Sequence, residues 1–308
     1  MRIVIQHRTG GPEVLEIHDV DDPSAGPGEV RLATSAIGVN PVDAAVRGGY
    51  FALLGDPPFT VGWDVAGVVD QVGEGVTDFA VGDRVFGMPR FPGEAAAYAE
   101  RVVAPAKDLA HIPSRLDDQH AAALPLVGLT AWQALVGAGG VGPGTRVLVQ
   151  AAGGGVGHVA VQIGKARGAH VVATASPRKA EFVRTLGADE IVDYTTTELA
   201  AIAAVDVAID PLGGENTART LTAVSNGGVL ALLVGEFDDA IRAAAADRGV
   251  RLARIGVKPD AAALASLIDL VDIGRLTPRV HATFKLEKAG DAHAALVEDV
   301  RGKLVLIP

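Results

Sequence analysis

The chain has 308 residues, a formal net charge of −10 and no cysteine. The lack of cysteine excludes disulfides, thiolate catalysis and cysteine-ligated zinc or iron–sulfur sites, and the negative charge repels the phosphates of nucleic acid. The N-terminus, MRIVIQHRTGG, lacks the apolar core of a signal peptide, and no apolar run reaches the roughly 18 residues that span a bilayer. We therefore expect a cytoplasmic protein with neither a nucleic-acid nor a membrane partner.

Short runs that carry Val and Ile dominate the first 115 residues and predict strands. They cover residues 2–6, 14–18, 29–39, 64–72, 84–86 and 97–103. Turn-forming clusters such as DDPSAGPGE and GEGVTDFAVGD separate them. This pattern is typical of an irregular antiparallel barrel or sandwich.

The pattern changes after residue 115. Residues 116–136 have helical spacing and run into the glycine-rich GAGGVGPG. Helical segments then alternate with six apolar runs: RVLVQA, HVVATA, EIVDY, VDVAID, GVLALLV and VRLARI. Such alternation predicts an α/β domain with a doubly wound parallel sheet.

The remaining residues predict a helix at 260–273, a strand at 280–284, a helix through His293 and a final strand, KLVLIP. We expect this tail to return to the first domain. The predicted domains are a catalytic domain at 1–115, a nucleotide-binding domain at 116–256 and a return to the catalytic domain at 257–308.

A glycine turn follows the strand that ends near Gln150, and a helix begins near Val156. The turn has the spacing Ala152-x-Gly154-x-x-Gly157, a variant of the dinucleotide fingerprint. Small residues let the backbone approach a pyrophosphate, and amide groups at the helix start bind the anion. The candidate residues are Ala152, Gly153, Gly154, Gly155, Val156 and Gly157. The alternative is a tight turn that binds no ligand.

The second strand of this unit indicates which dinucleotide is bound. NAD-binding folds place an acidic residue near its end to hold the ribose 2′-hydroxyl, but no Asp or Glu occurs between His158 and Ala180. Ser176 could donate a hydrogen bond to a 2′-phosphate, and Lys179 or Arg178 could neutralise its charge. The sequence therefore predicts NADP(H). The alternative is that Arg178 and Lys179 form only a solvated first turn.

The sequence resembles the zinc-independent quinone oxidoreductases of the zeta-crystallin type, within the medium-chain dehydrogenase/reductase superfamily. The motifs are IGVNPVDAAVRGGY, VGWDVAGVVDQVGEGV, VGDRVFG, the stretch around Tyr98 to Ala104, LPLVGLTAWQAL, AAGGGVG, LGADEIVDY, DVAIDPLGG and RGKLVLIP. The resemblance implies a GroES-like β-rich catalytic domain joined to a Rossmann domain, with the active site in the cleft between them.

The resemblance also implies that no metal takes part. Zinc-dependent members use Cys, His and Cys, where this chain has Asn40, Trp63 and Leu126. These side chains are not a zinc ligand set, and the cysteine-rich structural-zinc loop is missing. Without a Lewis acid a simple ketone is harder to polarise. A conjugated acceptor spreads the developing charge, which favours a quinone or an α,β-unsaturated carbonyl compound.

Asn40 and Tyr50 are the candidate catalytic residues. In the resembled family the Asn of VNPVD lies near the nicotinamide and substrate, and the Tyr after RGG lines the cofactor cleft. Asn40 could donate its amide N–H to the substrate oxygen, or it could be only a turn residue before Pro41. Tyr50 could contact the cofactor or act as a donor, or it could be a half-buried loop aromatic.

The resemblance implies further cofactor contacts. They are Thr130 near the nicotinamide, Tyr194 at the adenosine end, Asp210 in the turn DPLGG, and Val234 and Gly235 after the fifth strand. Lys303, in the terminal GK motif, either reaches the cofactor or is solvated. Family members often pair their sixth strands, so we expect a homodimer.

These observations predict an NADPH-dependent, zinc-independent oxidoreductase that transfers hydride to a quinone or an α,β-unsaturated carbonyl compound. Two alternatives stay open. One is an enoyl-thioester reductase, and the other is a non-catalytic NADPH-binding protein.

Overall fold

The computed structural model describes all of residues 1–308, which divide into two units. The first unit comprises Met1–Leu126, Lys258–Asp272 and Pro278–Pro308. The second comprises Val127–Val257 and Ile273–Thr277. No helix in either unit is both long enough and apolar enough to cross a membrane.

The N-terminal part of the first unit is mostly strand, as its Val- and Ile-bearing runs predict. Its elements are β1 (Arg2–Ile5), β2 (Glu16–Asp19), β3 (Glu29–Val39), α1 (Pro41–Arg47), β4 (Asp64–Val72), β5 (Arg84–Gly87), β6 (Arg101–Pro105), β7 (Leu109–His111) and α2 (Asp118–Ala122). β1 and β2 form a separate antiparallel hairpin. The other strands belong to one sheet.

The segment predicted as one helix over 116–136 is broken in the structure, so that prediction was wrong. α2 ends at Ala122, α3 covers Pro125–Trp132, and a π-helical stretch follows at Gln133–Ala138. Proline has no N–H to donate and its ring clashes with the preceding turn, so Pro125 can begin a helix but not continue one.

The second unit is a parallel α/β domain. Its elements are β8 (Arg146–Val149), α4 (Gly155–Ala166), β9 (His170–Ala175), α5 (Pro177–Thr185), β10 (Glu190–Asp193), β11 (Val205–Asp210), α6 (Glu215–Ala223), β12 (Val224–Leu232), α7 (Asp239–Asp247) and β13 (Arg251–Arg254). The sheet order is β10-β9-β8-β11-β12-β13, with every pair parallel. This is the Rossmann order, which reverses between β8 and β11.

Hydrophobic side chains fill the interior of this domain, since helices cover its parallel sheet. One cluster of buried side chains includes Leu148 of β8, Val172 of β9, Leu230 of β12 and Ile241 of α7. The rigid sheet brings the carboxyl ends of the strands, where ligands bind in this fold, to one edge.

The tail of the chain completes the sheet of the first unit. It contains α8 (Ala261–Asp272), β14 (Val280–Lys285), α9 (Ala289–Ala295) and β15 (Lys303–Ile307). The sheet order is β14-β15-β3-β4-β5-β7, and β6 also pairs with β3. β14 and β15 are parallel and the other pairs antiparallel, so the sheet is mixed rather than purely antiparallel. The two units together give the predicted fold class, a GroES-like β-rich domain and a Rossmann domain.

The long strand β3 organises the first unit because three strands pair with it. Its N-terminal half pairs with β6, and its last residues pair with β15 in a register that sets Val39 opposite Leu304. β4 pairs along most of its length and sets Asp64 opposite Gly38. These registers bring the start of β15, the end of β3 and the start of β4 together.

Candidate functional site

Hydrogen bonds to the neighbouring strand β9 fix the conformation of the glycine turn that follows β8. Thr174 on β9 accepts the N–H of Ala151 at its hydroxyl and the N–H of Ala152 at its carbonyl, each at 3.0 Å. Ala151 has a φ of 48°, an uncommon value for a residue with a side chain. The turn is therefore fixed in place before any ligand arrives.

Gly157 of this turn sits where a side chain would clash, and Gly154 begins the helix that follows. A Cβ on Gly157 would lie 2.3 Å from the carbonyl oxygen of Ala151 and 2.6 Å from Cα of Ala152, so α4 packs directly on the turn. Gly154 is the N-cap of α4 and supplies no capping side chain. The first amide groups of this twelve-residue helix form a place for an anion. This cradle fits a pyrophosphate.

The end of β9 lies beside the same turn. Ser176 is the N-cap of α5, and its hydroxyl makes no capping bond. Lys179, in the first turn of α5, packs its aliphatic chain on Gly153, because a Cβ there would be 2.8 Å from Cδ of Lys179. The fold thus places a lysine and a serine at the carboxyl end of β9, and the segment from His158 to Ala180 contains no Asp or Glu. Tyr194, half exposed, follows the end of the neighbouring strand β10.

The loops after β11 and β12 reach the same edge of the sheet. The carboxylate of Asp210 is buried and fully used, because it accepts the N–H groups of Leu212 and Gly213 and the hydroxyl of Thr217. The Asp210 carboxylate therefore holds the turn in its conformation, and the part of the turn that a ligand could contact is its backbone. A Cβ on Gly213 would lie 2.8 Å from the carbonyl oxygen of Val234, so the two loops touch.

The other predicted cofactor residues of this unit differ in accessibility. Val234 is exposed at 45%, and Gly235 beside it has a φ of 76°. Thr130 lies on α3 and is buried. The structure thus gathers the predicted residues of the glycine turn and of the ends of β9 to β12 at one edge of the parallel sheet.

The two predicted catalytic residues of the first unit have opposite environments. Asn40 caps α1 and is fully buried. Its Oδ1 accepts from the Lys303 ammonium, and its Nδ2 donates to Asp64 Oδ2 at 2.9 Å. Tyr50, three residues after the end of α1, is 89% exposed. It is not the half-buried aromatic of the alternative interpretation.

Lys303 is buried, so the expectation of a solvated lysine was wrong, and its contact with the cofactor stays a prediction. It is 3% exposed and forms an ion pair with the fully buried Asp64, whose Oδ2 lies 3.3 Å from Nζ. Asp64 Oδ1 also accepts the N–H of Leu126 at 2.7 Å. Burial lowers the pKa of Lys303, and the carboxylate of Asp64 opposes that effect.

A chain of buried polar groups adjoins Asn40 and was not predicted from the sequence. Asp43 Oδ2 accepts the Asn40 N–H at 2.8 Å and the Tyr98 hydroxyl at 2.9 Å. The Tyr98 oxygen lies 2.8 Å from Nε2 of His293, and Nδ1 of His293 lies 3.1 Å from the Arg47 guanidinium. A guanidinium can only donate, so Nε2 carries the imidazole proton and donates to Tyr98.

Burial determines the protonation states of His293 and Asp43 in this row of polar groups. It lowers the pKa of His293 to about 3, with the positive charge of Arg47 adding to the effect, so the imidazole is neutral. Burial raises the pKa of the Asp43 carboxyl to about 7, although the Asn40 N–H, the Lys303 charge and the Tyr98 hydroxyl lower it. Oδ1 of Asp43 is buried and has no hydrogen-bond partner.

Replacing Asp43 with asparagine is expected to stabilise the protein relative to wild type as the pH rises. The folded-state pKa of about 7 exceeds the ordinary value of 3.8, so the native state binds more protons between these values. The wild-type free energy of unfolding therefore falls with rising pH across this window, by at most about 1.4 kcal/mol per pH unit. The free energy of unfolding of Asp43→Asn does not fall in this way, because asparagine does not titrate. Its side-chain oxygen can still accept the Tyr98 hydroxyl and the Asn40 N–H.

Urea unfolding of wild type and Asp43→Asn at pH values from about 5 to about 8 measures the effect. The difference in free energy should grow in favour of the variant. Asp291→Asn, an exposed carboxylate on α9, is the control and should show a constant difference. A constant difference for Asp43→Asn as well would mean that Asp43 is already ionised throughout this range.

Comparison with known proteins agrees with this architecture. A family model described as "Alcohol dehydrogenase GroES-like domain" matches residues 26–114, and one described as "Zinc-binding dehydrogenase" matches residues 186–306. The 2-haloacrylate reductase of Burkholderia sp is 35% identical to this chain, and the alignment covers 98% of this chain and 97% of the relative.

Solved structures extend the likeness to the whole chain. The quinone oxidoreductase from Coxiella burnetii superposes with a TM-score of 0.93 at 30% identity, covering 100% of this chain and 99% of that one. The chain belongs to the quinone oxidoreductase family of the medium-chain dehydrogenase/reductase superfamily. The Escherichia coli quinone oxidoreductase complexed with NADPH has a TM-score of 0.89 at 26% identity, with both chains fully covered.

Membership of this family raises the question of zinc, which one of the matching models names. Asn40, Trp63 and Leu126 stand at the motif-matched places of the zinc ligands. Trp63 is buried and its indole N–H donates to the Gly93 carbonyl at 2.7 Å, and Leu126 has no donor atom in its side chain. The cation beside Asn40 is the ammonium of Lys303. These residues do not fit zinc, which takes three N, S or O ligands from the protein.

Sequence reasoning missed the chain of buried polar groups that begins at Asp43, beside Asn40, in this quinone oxidoreductase family member. Asp43, Tyr98 and His293 come from segments up to 250 residues apart along the sequence. Only Asp43 carried a local signal, because an acidic residue three places after an Asn that begins a helix is typical of a capping box. No local pattern indicated that Tyr98 would contact Asp43 or that His293 would contact Tyr98.

Proposed function

We propose that this chain is an NADPH-dependent oxidoreductase that transfers hydride to a quinone or an α,β-unsaturated carbonyl compound without a metal ion. One observation carries the proposal. At the carboxyl end of β9, beside the glycine turn, the chain offers Ser176 and Lys179, and its segment from His158 to Ala180 contains no Asp or Glu. An acidic residue there would repel a 2′-phosphate, whereas a lysine attracts it.

The glycine turn and its surroundings would hold the coenzyme. The amides at the start of α4 would bind the pyrophosphate, with Ser176 and Lys179 binding the 2′-phosphate. Tyr194 would lie at the adenosine end, and Thr130, Val234 and Gly235 would lie at the nicotinamide end. NADPH supplies the hydride when it is bound.

The substrate class is inferred from the negative charge that hydride transfer leaves on the acceptor. Hydride addition leaves negative charge on the acceptor oxygen, and the side chains at the motif-matched zinc places do not suit a metal that would stabilise it. A conjugated acceptor delocalises that charge. The relatives named above include quinone oxidoreductases and a 2-haloacrylate reductase, and both names denote conjugated acceptors. Asn40 and Tyr50 stay the predicted donors to the acceptor.

Turnover of chelator-treated protein tests the proposal. Protein would be mixed with NADPH and, in turn, 9,10-phenanthrenequinone, a 2-enal and crotonyl-CoA, and NADPH absorbance would be followed. We expect oxidation of NADPH with the quinone or the enal, unaffected by the chelator. Turnover with crotonyl-CoA alone would favour an enoyl-thioester reductase. Tight NADPH binding with no turnover of any acceptor would favour a non-catalytic NADPH-binding protein.

Two other expectations stay predictions. Homodimer formation can be checked by light scattering of the purified protein, and a cytoplasmic location by fractionation of the source cells.

A further inference from the structure

The ammonium of Lys303 is a cation built into the interior of the first unit. The side chains of Lys303, Asp64 and Asn40, here named the buried triad, are all at most 3% exposed. Taking two charges out of water costs several kcal/mol per ion, and replacing a buried pair by apolar groups is often neutral for stability. Stability alone therefore does not explain why the chain keeps a lysine here.

Sheet register places the buried triad. Leu304 of β15 lies opposite Val39, so Lys303 begins the strand next to Asn40. Asp64 begins β4 opposite Gly38. A Cβ on Gly38 would lie 2.9 Å from Asp64 Oδ2 and 2.3 Å from the carbonyl oxygen of Ala122, so only glycine leaves room for the carboxylate.

The charges of the buried triad fix the orientation of the Asn40 amide. An ammonium only donates and an ionised carboxylate only accepts. Oδ1 of Asn40 therefore faces Lys303, and one N–H of Nδ2 is bound to Asp64 Oδ2 at 2.9 Å. The other Nδ2 hydrogen has only the Gly38 carbonyl, at the long distance of 3.5 Å. The amide thus keeps one weakly engaged donor, polarised by the cation on its oxygen.

We propose that Lys303 is a positioning residue that, together with Asp64, orients and polarises the Asn40 amide so that its second N–H can donate to the acceptor oxygen. This proposal rests on the proposed hydride transfer, since it gives Asn40 its role there. The Lys303 ammonium would polarise the Asn40 amide and so strengthen its N–H as a donor. That N–H would stabilise the negative charge that develops on the acceptor oxygen. Such preorganised donors contribute more than flexible ones.

The decisive variant removes both charges of the buried triad. Lys303→Met alone would leave the Asp64 carboxylate unpaired, which is destabilising whatever the role of the lysine. The double variant Lys303→Met/Asp64→Asn buries no net charge. The exposed pair Lys288 and Asp291 of the same unit provides a matched control, Lys288→Met/Asp291→Asn.

For the double variant we expect a thermal unfolding midpoint near that of wild type, a kcat lowered by about 10-fold or more, and a KM for NADPH within about twofold of wild type. The control should match wild type in all three. A double variant that is folded and has wild-type kcat would overturn the proposal. Failure of wild type to turn over any acceptor would instead overturn the proposed function.

A spectroscopic measurement tests the orientation without relying on activity. The chain contains three asparagines, Asn40, Asn216 and Asn226. Selective ¹⁵N-asparagine labelling therefore gives three side-chain amide signals, assignable by substitution. The Asp64→Asn change adds a fourth side-chain amide signal to the double variant. In that variant the Asn216 and Asn226 signals should stay in place, whereas the Asn40 signal should move and its hydrogens should exchange faster. With wild type, adding 9,10-phenanthrenequinone together with NADP⁺ should shift the Asn40 signal. An Asn40 signal unchanged in both experiments would overturn the proposal.

Discussion

Lys179→Met is expected to weaken NADPH binding by about 10- to 100-fold and to leave NADH binding within about twofold of wild type. Hydrogen bonds to charged groups contribute about 1.5–3 kcal/mol, and about 1.4 kcal/mol corresponds to a factor of ten. Methionine keeps an unbranched chain of similar length for the contact with Gly153, so the change removes mainly the charge. Only NADPH carries the 2′-phosphate that this charge would meet.

Calorimetric titration of each variant with both coenzymes measures the discrimination. Arg184→Ala is the control, because Arg184 lies in the last turn of the same helix, α5, and pairs with the exposed Glu181. It should change neither affinity by more than about twofold. Equal weakening of NADPH and NADH by Lys179→Met would mean that Lys179 supports the glycine turn and does not read the 2′-phosphate.

Gly157→Ala is expected to lower the free energy of unfolding by about 3 kcal/mol, the upper part of the range for overpacking. Its Cβ would lie 2.3 Å from the Ala151 carbonyl oxygen, so α4 would have to move off the glycine turn. Gly154→Ala has a nearest contact of 3.2 Å and an extended backbone, which alanine also adopts. It should cost less than about 1 kcal/mol.

The two glycine variants separate folding from binding. Gly154→Ala should remain folded but bind NADPH at least about 10-fold more weakly, because its Cβ would lie where the pyrophosphate approaches the start of α4. Denaturant unfolding and coenzyme titration of both variants supply the data. Wild-type NADPH affinity in a folded Gly154→Ala protein would contradict the assignment of this turn as the pyrophosphate cradle.

Local sequence patterns predicted the elements of the fold well where one face or both faces of a strand are buried. β3 and β4 have the bounds that their apolar patterns indicate, and the six parallel strands follow the six apolar runs. Their parallel arrangement follows from strand–helix alternation, because connections through helices return the chain in the same direction. The break before Pro125 was missed because apolar spacing continued across it.

The candidate coenzyme residues could be predicted because each follows a strand, and parallel strands end at one edge of a sheet. The surroundings of Asn40 could not be predicted, because they depend on register between distant segments. Lys303 is buried because β15 pairs with β3 in a register that sets Leu304 opposite Val39, the residue before Asn40. His293 reaches Tyr98 from a helix near the other end of the chain. A lysine or histidine in an exposed helix or strand has the same local pattern.

Isotope transfer tests the central claim most directly. Chelator-treated protein would be incubated with an enone and NADPH carrying deuterium in the transferred position at C4, and the product would be analysed by mass spectrometry and NMR. The account predicts one deuterium at the β-carbon of the product, with no dependence on added zinc. Product without deuterium at that carbon, or turnover only after zinc is restored, would contradict it.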